Sequence, residues 1–238
     1  MGSKFTGIKN AGMGIEEYEA LLNRRFMEEG RWEVAEGQEA YMRHRFKFFG
    51  VKSPDRTAIS GAFHREFGLP AGVSLDDLVV FLWDCSYREL HYHALFVAER
   101  LIRRQGEAFI YTLEGLIVRN SWWDTVDWLA KLVGIHFKRF PGQVLPITES
   151  WMASGDMWLQ RVCLIFQLGY GMETDQDLLF RYVKVVSRSR EFFLQKGAGW
   201  ALRQYSKTNP EAVRAFIAAT ELSALTRREG LRLMEKRE

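Results

Sequence analysis

Cysteine is scarce in this chain, with only Cys85 and Cys163 among 238 residues. Both lie in apolar, helix-patterned text, so they read as buried thiols and not as a disulfide. Proline is scarce too: five residues, at 54, 70, 141, 146 and 210, all outside the interiors of the predicted helices. No apolar run approaches the ~20 residues that a membrane span requires. The opening residues, MGSKFTGIKN, lack the apolar core of a signal peptide. A soluble, cytoplasmic protein is the expectation. There is no glycine-rich phosphate loop, no alternation of strand and helix patterns, and no serine or cysteine nucleophile motif.

What is present is helix after helix. Apolar residues recur at three- and four-residue spacing over 14–29, 32–46, 54–67, 75–82 and 87–103. The same pattern returns over 122–132, 156–168, 175–187, 191–205, 210–220 and 225–234. Ser53-Pro54 and Asn209-Pro210 pair a capping residue with a first-turn proline and mark helix starts. The stretch AFIYTLEGLIV, residues 108–118, has strand-like composition, but its flanks suggest a buried helix. With 47% hydrophobic residues the core can be sizeable, and the expected fold is all-α, a single domain spanning 1–238 with about residues 1–14 disordered.

Spacing points to an array. Trp158 and Arg161 form a WxxR pair, and Trp200 and Arg203 form another 42 residues later. Tyr87 to Trp123 is 36 residues and Trp123 to Trp158 is 35. Such periods fit a curved solenoid of HEAT-like helix pairs, which offers a long concave surface.

Charge is unevenly spread. Residues 181–238 carry 13 Lys and Arg against 6 Asp and Glu, a net +7, whereas residues 1–180 carry 20 against 24, a net −4. A basic end on a slightly acidic chain suggests an anionic partner on that side.

The stretch SWWDTVD at 121–127 is the most informative. It places Trp123 and Asp127 one turn apart on one helical face, an indole beside a carboxylate, which suits a site for something cationic. Asn120, Trp123, Asp127 and Lys131 share that stripe. Lys196, Trp200, Arg203 and Lys207 form a second, with an indole among three cations. Arg181, Lys184 and Arg188 form a third, and Tyr41 with Arg45 a fourth. Each stripe alone reads as core tryptophans beside solvated charges. Several at repeat-like spacing suggest a nucleic-acid groove.

The sequence resembles the AlkD-like DNA alkylation repair glycosylases, a HEAT-like-repeat family, from about Tyr41 to about Phe216. The matching text is YMRHRFKFFGVKSPDR at 41–56, LWDCSYRELHYHAL at 82–95, SWWDTVD at 121–127, DMWLQRVCLIFQLGY at 156–170 and GWALRQYSKTNPEAV at 199–213. By resemblance, Trp123, Asp127, Arg161 and Trp200 match the family's catalytic cleft and Tyr41 its N-terminal DNA-contacting tyrosine. Lys52, Ser53 and Arg56 match the loop and helix start that grip the opposite strand. Thr57 stands where many relatives have a second arginine. Gly197 and Gly199, ahead of Trp200, stand where bulkier residues are usual and are expected to loosen that helix.

The resemblance implies hydrolysis of the N-glycosidic bond of cationic N3- or N7-alkylpurines in double-stranded DNA, by a monomer without a cofactor, in the cytoplasm and near the nucleoid of a prokaryote. Asp127 would stabilise the positive charge that develops on the deoxyribose and position the attacking water. Trp123 and Trp200 would hold sugar and phosphate. Arg161 would bind a backbone phosphate and help keep Asp127 ionised. Lys196, Arg203 and Lys207 are expected to contact phosphates without sequence preference.

The alternative is a noncatalytic helical scaffold that binds DNA or a protein. A metal is not expected: His91 and His93, near Cys85, would point to different faces of a helix, and no further ligand set is evident. His44 belongs beside the Tyr41 stripe.

Overall fold

A computed structural model describes residues 12–234. Contacts divide the described residues into two compact units that meet in the chain between Arg104 and Gln105. Thirteen α-helices and no strand occur among the described residues, so the all-α expectation is met. Of the stretch expected to be disordered, residues 1–11 lie outside the described residues. Met13 is buried, and its carbonyl accepts from the backbone N–H of Ala71.

The first unit holds α1 (Ile15–Glu29), α2 (Trp32–Tyr41), α3 (Ser53–Phe67), α4 (Leu75–Trp83) and α5 (Arg88–Leu101). On α1 the buried residues are Tyr18, Leu22 and Phe26, a four-residue repeat that makes one apolar stripe. All of α5 from Arg88 to Ala98 is buried, so it is the core helix of this unit. His91 and His93 on it do face different neighbours. His91 bonds Arg88 and the Cys85 carbonyl, both at 3.0 Å, whereas His93 Nε2 lies 2.9 Å from the Tyr18 hydroxyl. Burial pushes His93 down to about 3, so its ring is neutral at any physiological pH.

Two local expectations are corrected. The helix predicted over 32–46 ends at Tyr41, because Arg43 and His44 adopt left-handed φ values of 56° and 53° and turn the chain out of the helix. The capping position of α3 belongs to Lys52, with extended backbone and no side-chain cap bond, and Ser53 is already helical.

The second unit holds α6 (Phe109–Val118), α7 (Trp123–Arg139), α8 (Val144–Ala153), α9 (Met157–Ile165), α10 (Gln176–Val185), α11 (Phe192–Tyr205), α12 (Pro210–Ala219) and α13 (Ala224–Leu231). Helices α7, α9, α11 and α13 pack in series, and α9 also meets α6, α8 and α10. The stretch 108–118 is helical from Phe109, as expected, but it is buried on one face only: Phe109, Ile110, Leu113, Leu116 and Ile117 are buried, whereas Tyr111 and Val118 are exposed. Helix α8 has no counterpart in the sequence reading, because Pro141 and Pro146 mask it. Pro146 is its third residue, where the missing N–H would have had no intrahelical acceptor. Cys85 and Cys163 are free thiols; Cys163 is buried as expected, whereas Cys85 is only half-buried.

Asn209 caps α12 as its Asn-Pro signature predicts: its side chain accepts from the Ala212 N–H at 3.1 Å. Asn209→Ala should therefore cost about 1 kcal/mol. The expected reading is a lower urea midpoint with an unchanged m-value, and an unshifted midpoint would refute the cap.

Candidate active site

The centre of the site is built where α7 crosses α9. Gly134 on α7 lets the helices approach so closely that a Cβ there would lie 2.3 Å from the Phe166 carbonyl oxygen. Tyr170 also donates to the Gly134 carbonyl, at 2.8 Å. Asp127 lies two turns earlier on the same face of α7. On α9, the capping side chain of Asp156 accepts from the N–H groups of Trp158 and Leu159, at 2.8 and 2.9 Å, and sets the helix start one turn before Arg161.

These elements bring Asp127 and Arg161 together. Arg161 Nε donates to Asp127 Oδ1 at 2.7 Å and Nη2 to Oδ2 at 2.9 Å, a bidentate pair. The remaining nitrogen, Nη1, donates to the Phe193 carbonyl on α11 at 2.5 Å. The Arg161 side chain is only 6% exposed and that of Asp127 20%. Burial raises the Asp127 carboxyl above the ordinary aspartate range. The hydrogen bonds and charge of Arg161 pull against that rise, and nearby Asp124 adds to it.

Three of the five guanidinium N–H donors of Arg161 are therefore engaged, two with Asp127 and one with the α11 backbone, which leaves one on Nη1 and one on Nη2. Arg161 orients and neutralises Asp127. Gly197 is part of the same device: a Cβ there would meet Arg161 Nη1 at 3.1 Å. Gly199 likewise lets α13 approach, since a Cβ would fall 2.6 Å from that of Glu229. Both glycines, expected to loosen α11, instead permit its close packing on two neighbours.

Trp123, at the first position of α7, and Trp200, on α11, are both half-buried. Trp200 follows Gly197 by three residues, so it sits one turn along the face that meets Arg161. Sequence reasoning missed an aromatic cluster alongside. Trp122, Trp158 and Phe193 have ring centroids 4.9 to 6.0 Å apart. The WxxR spacing was its one available signal, since it places Trp158 one turn from Arg161.

Two cations of the α11 stripe pair with α13. Lys196 Nζ and Arg203 Nη1 both reach Glu229 on α13, at 2.8 and 2.6 Å. These contacts hold the Glu229 carboxyl below the ordinary glutamate range, the hydrogen bond from Lys196 contributing most. Lys207 donates to Gln204 and is exposed. In the third stripe, Arg181 pairs with Glu149 at 3.1 Å.

The remaining candidates lie in the first unit. Tyr41 is 70% exposed at the end of α2. Lys52 and Ser53 are exposed at the start of α3, and Arg56 bonds Ser53 at 3.2 Å while its guanidinium stacks 3.7 Å from the Tyr92 ring centroid. The loop ahead of them is anchored by Glu89, a fully buried carboxylate that accepts from the N–H groups of Phe49, Gly50 and Val51. Glu89 was not singled out from the sequence, where it is one charge within a helix. Thr57 Oγ1 turns back to the Ser53 carbonyl.

Fold and site thus define an all-helical protein with a part-exposed, arginine-paired carboxylate one helical turn from a tryptophan. A family model described as DNA alkylation repair enzyme matches residues 22–234, and the chain belongs to that family. It is similar to a solved structure of a predicted DNA alkylation repair enzyme from Enterococcus faecalis, with 31% identity and a TM-score of 0.81, covering 87% of this chain and 98% of that one. A comparison with curated proteins gave no match.

Proposed function

We propose that this chain is a DNA glycosylase that hydrolyses the N-glycosidic bond of cationic N3- and N7-alkylpurines in duplex DNA. The observation that carries the reading is the Asp127 carboxylate, held bidentate by Arg161, part-exposed, and one turn from Trp123. Alkylation at N3 or N7 gives the purine a positive charge and weakens its bond to C1′. As that bond breaks, its electron pair leaves with the base, which departs neutral, and positive charge grows on the deoxyribose. Asp127 stabilises that charge and orients a water for attack on C1′, the water's proton passing to the carboxylate and then to solvent. Trp123 and Trp200 hold the sugar and its phosphate and add cation–π attraction of ~0.5–2 kcal/mol each. Arg161 keeps Asp127 aimed and ionised.

Tyr41, Lys52, Ser53 and Arg56 serve as backbone contacts, the last three at a helix start whose first N–H groups have no side-chain cap. Lys207 is a further phosphate contact. The protein acts as a monomer on DNA in the cytoplasm. No helix among the described residues is long and apolar enough to cross a membrane.

A noncatalytic scaffold is the rival. The bidentate pair is net neutral, so Asp127 does not repel phosphates as a lone carboxylate would, and a scaffold could carry it. Its partial exposure beside half-buried indoles is what favours chemistry. Incubation with duplexes carrying N7-methylguanine or N3-methyladenine, followed by detection of free base, tests the reading; no release would leave the scaffold.

The same mechanism predicts selectivity by charge. Cationic alkylpurines should be excised, including some with bulky substituents, because the site holds sugar and backbone and does not measure the base edge. Uracil, hypoxanthine and 8-oxoguanine should stay in place, since nothing supplies the proton they need on leaving. A panel of duplexes with one lesion each decides the matter, and efficient uracil release would contradict the mechanism.

A further inference from the structure

The salt-bridge cluster on α13 has no part in the chemistry above. Glu229 is nearly buried, its side chain 10% exposed, and it binds Lys196 and Arg203 at once. Those two cations lie four residues before and three after Trp200, so one carboxylate grips α11 a turn on either side of the indole. Arg232 Nη1 approaches the same carboxylate at 3.9 Å. The neighbouring contacts fix the register of α13 on α11. Thr226 Oγ1 donates to the Gln195 carbonyl at 3.1 Å, and the bare Gly199 leaves room for Thr226 and Glu229. On its other side, α11 supplies the Phe193 carbonyl and the Gly197 gap to Arg161.

We propose that Glu229 is a positioning residue for Trp200, which clamps Lys196 and Arg203 and thereby fixes the indole while keeping two cations off the DNA backbone. The proposal rests on the glycosylase reading. A free Lys196 and Arg203 would bind phosphates and raise affinity; held by Glu229, they instead define where α11 stands. The protein thus gives up nonspecific affinity for a placed tryptophan.

The distinguishing signature is tighter binding with slower chemistry. Glu229→Gln keeps the size and loses the charge, so it can no longer hold both cations. Its affinity for undamaged duplex should rise. The plot of log affinity against log salt should steepen by one to two units, at ~0.9 per added phosphate contact. The single-turnover rate on N7-methylguanine duplex at saturating enzyme should fall by roughly tenfold as Trp200 loses its place. Acrylamide quenching of Trp200, isolated by subtracting the signal of the matching Trp200→Phe variant, should increase. Glu229→Asp keeps the charge and should keep the native salt slope.

An unchanged slope, or affinity and rate falling together with the melting temperature, would overturn the proposal and leave Glu229 as support for the fold alone. The binding and quenching measurements need no base release. If the native chain excises nothing, the glycosylase reading fails, while those two measurements still decide whether Glu229 holds Trp200 and shields the cations.

Discussion

Duplex DNA carrying N7-methylguanine should lose its base at least tenfold more slowly with Asp127→Asn than with the native chain, because one preorganised electrostatic stabiliser is removed. Asparagine keeps an oxygen for Arg161, so circular dichroism and duplex binding should remain native. The loss should fall on the single-turnover rate at saturating enzyme. An unchanged rate would remove Asp127 from the chemistry.

The native enzyme should also show an acid limb whose midpoint lies above the ordinary aspartate range, since burial raises this carboxyl. The sign for stability is opposite to that of a typical surface aspartate. A carboxyl whose folded-state value is raised contributes stability that is fully present below its unfolded-state value and is lost as pH climbs through the folded one. Mild acid therefore silences Asp127 without unfolding the protein through it. An acid limb absent from Asp127→Asn, measured on its residual rate, is the matching control.

Removing Arg161 should have the largest effect on stability. Arg161→Leu leaves the part-exposed Asp127 with no counter-charge, which costs up to about 3 kcal/mol, the low end for a buried pair because solvent and protonation relieve part of it. It also removes the pull that opposes burial, so the acid limb of any remaining activity should move to still higher pH. Asp127→Leu/Arg161→Leu should recover much of the stability, since an apolar pair of similar volume can replace a buried ion pair, yet remain inactive. Urea denaturation of the two single variants and the double gives the coupling directly. If Arg161→Leu is as stable as the native chain, the pair does not hold the α7–α9 crossing together; if it weakens only DNA affinity, Arg161 is a phosphate ligand after all.

Much of this was legible in the chain. The three- and four-residue spacing of apolar residues is a local property of a helix that must bury one face, so eleven segments could be placed without tertiary information. Trp123, Trp158 and Trp200 fall on α7, α9 and α11, which pack in series with α13. Trp123 and Asp127 share a face because both are on one helix, and helical geometry alone decides that. The errors are also local in origin. Arg43 and His44 carry no glycine to announce a left-handed turn, and Pro141 and Pro146 hide α8.

Partnership between helices was not legible. A sequence shows that Arg161, Lys196 and Arg203 are cations on helical faces, but not which carboxylate each will meet. That depends on how closely helices approach, and here glycines decide the approach. Gly134 brings α9 to α7, Gly197 admits the Arg161 guanidinium beside α11, and Gly199 admits α13. Each was readable only as a flexible residue within a helix, because the contact it permits lies 30 or more residues away in the chain. The sequence alone therefore determined an all-helical member of the DNA alkylation repair enzyme family, and singled out Trp123, Asp127, Arg161 and Trp200 as the residues of the proposed site. Tertiary structure decided that Arg161 serves Asp127 and that Glu229 takes Lys196 and Arg203. A charge in a folded chain goes to the nearest desolvated partner of opposite sign, and only packing sets which partner is near.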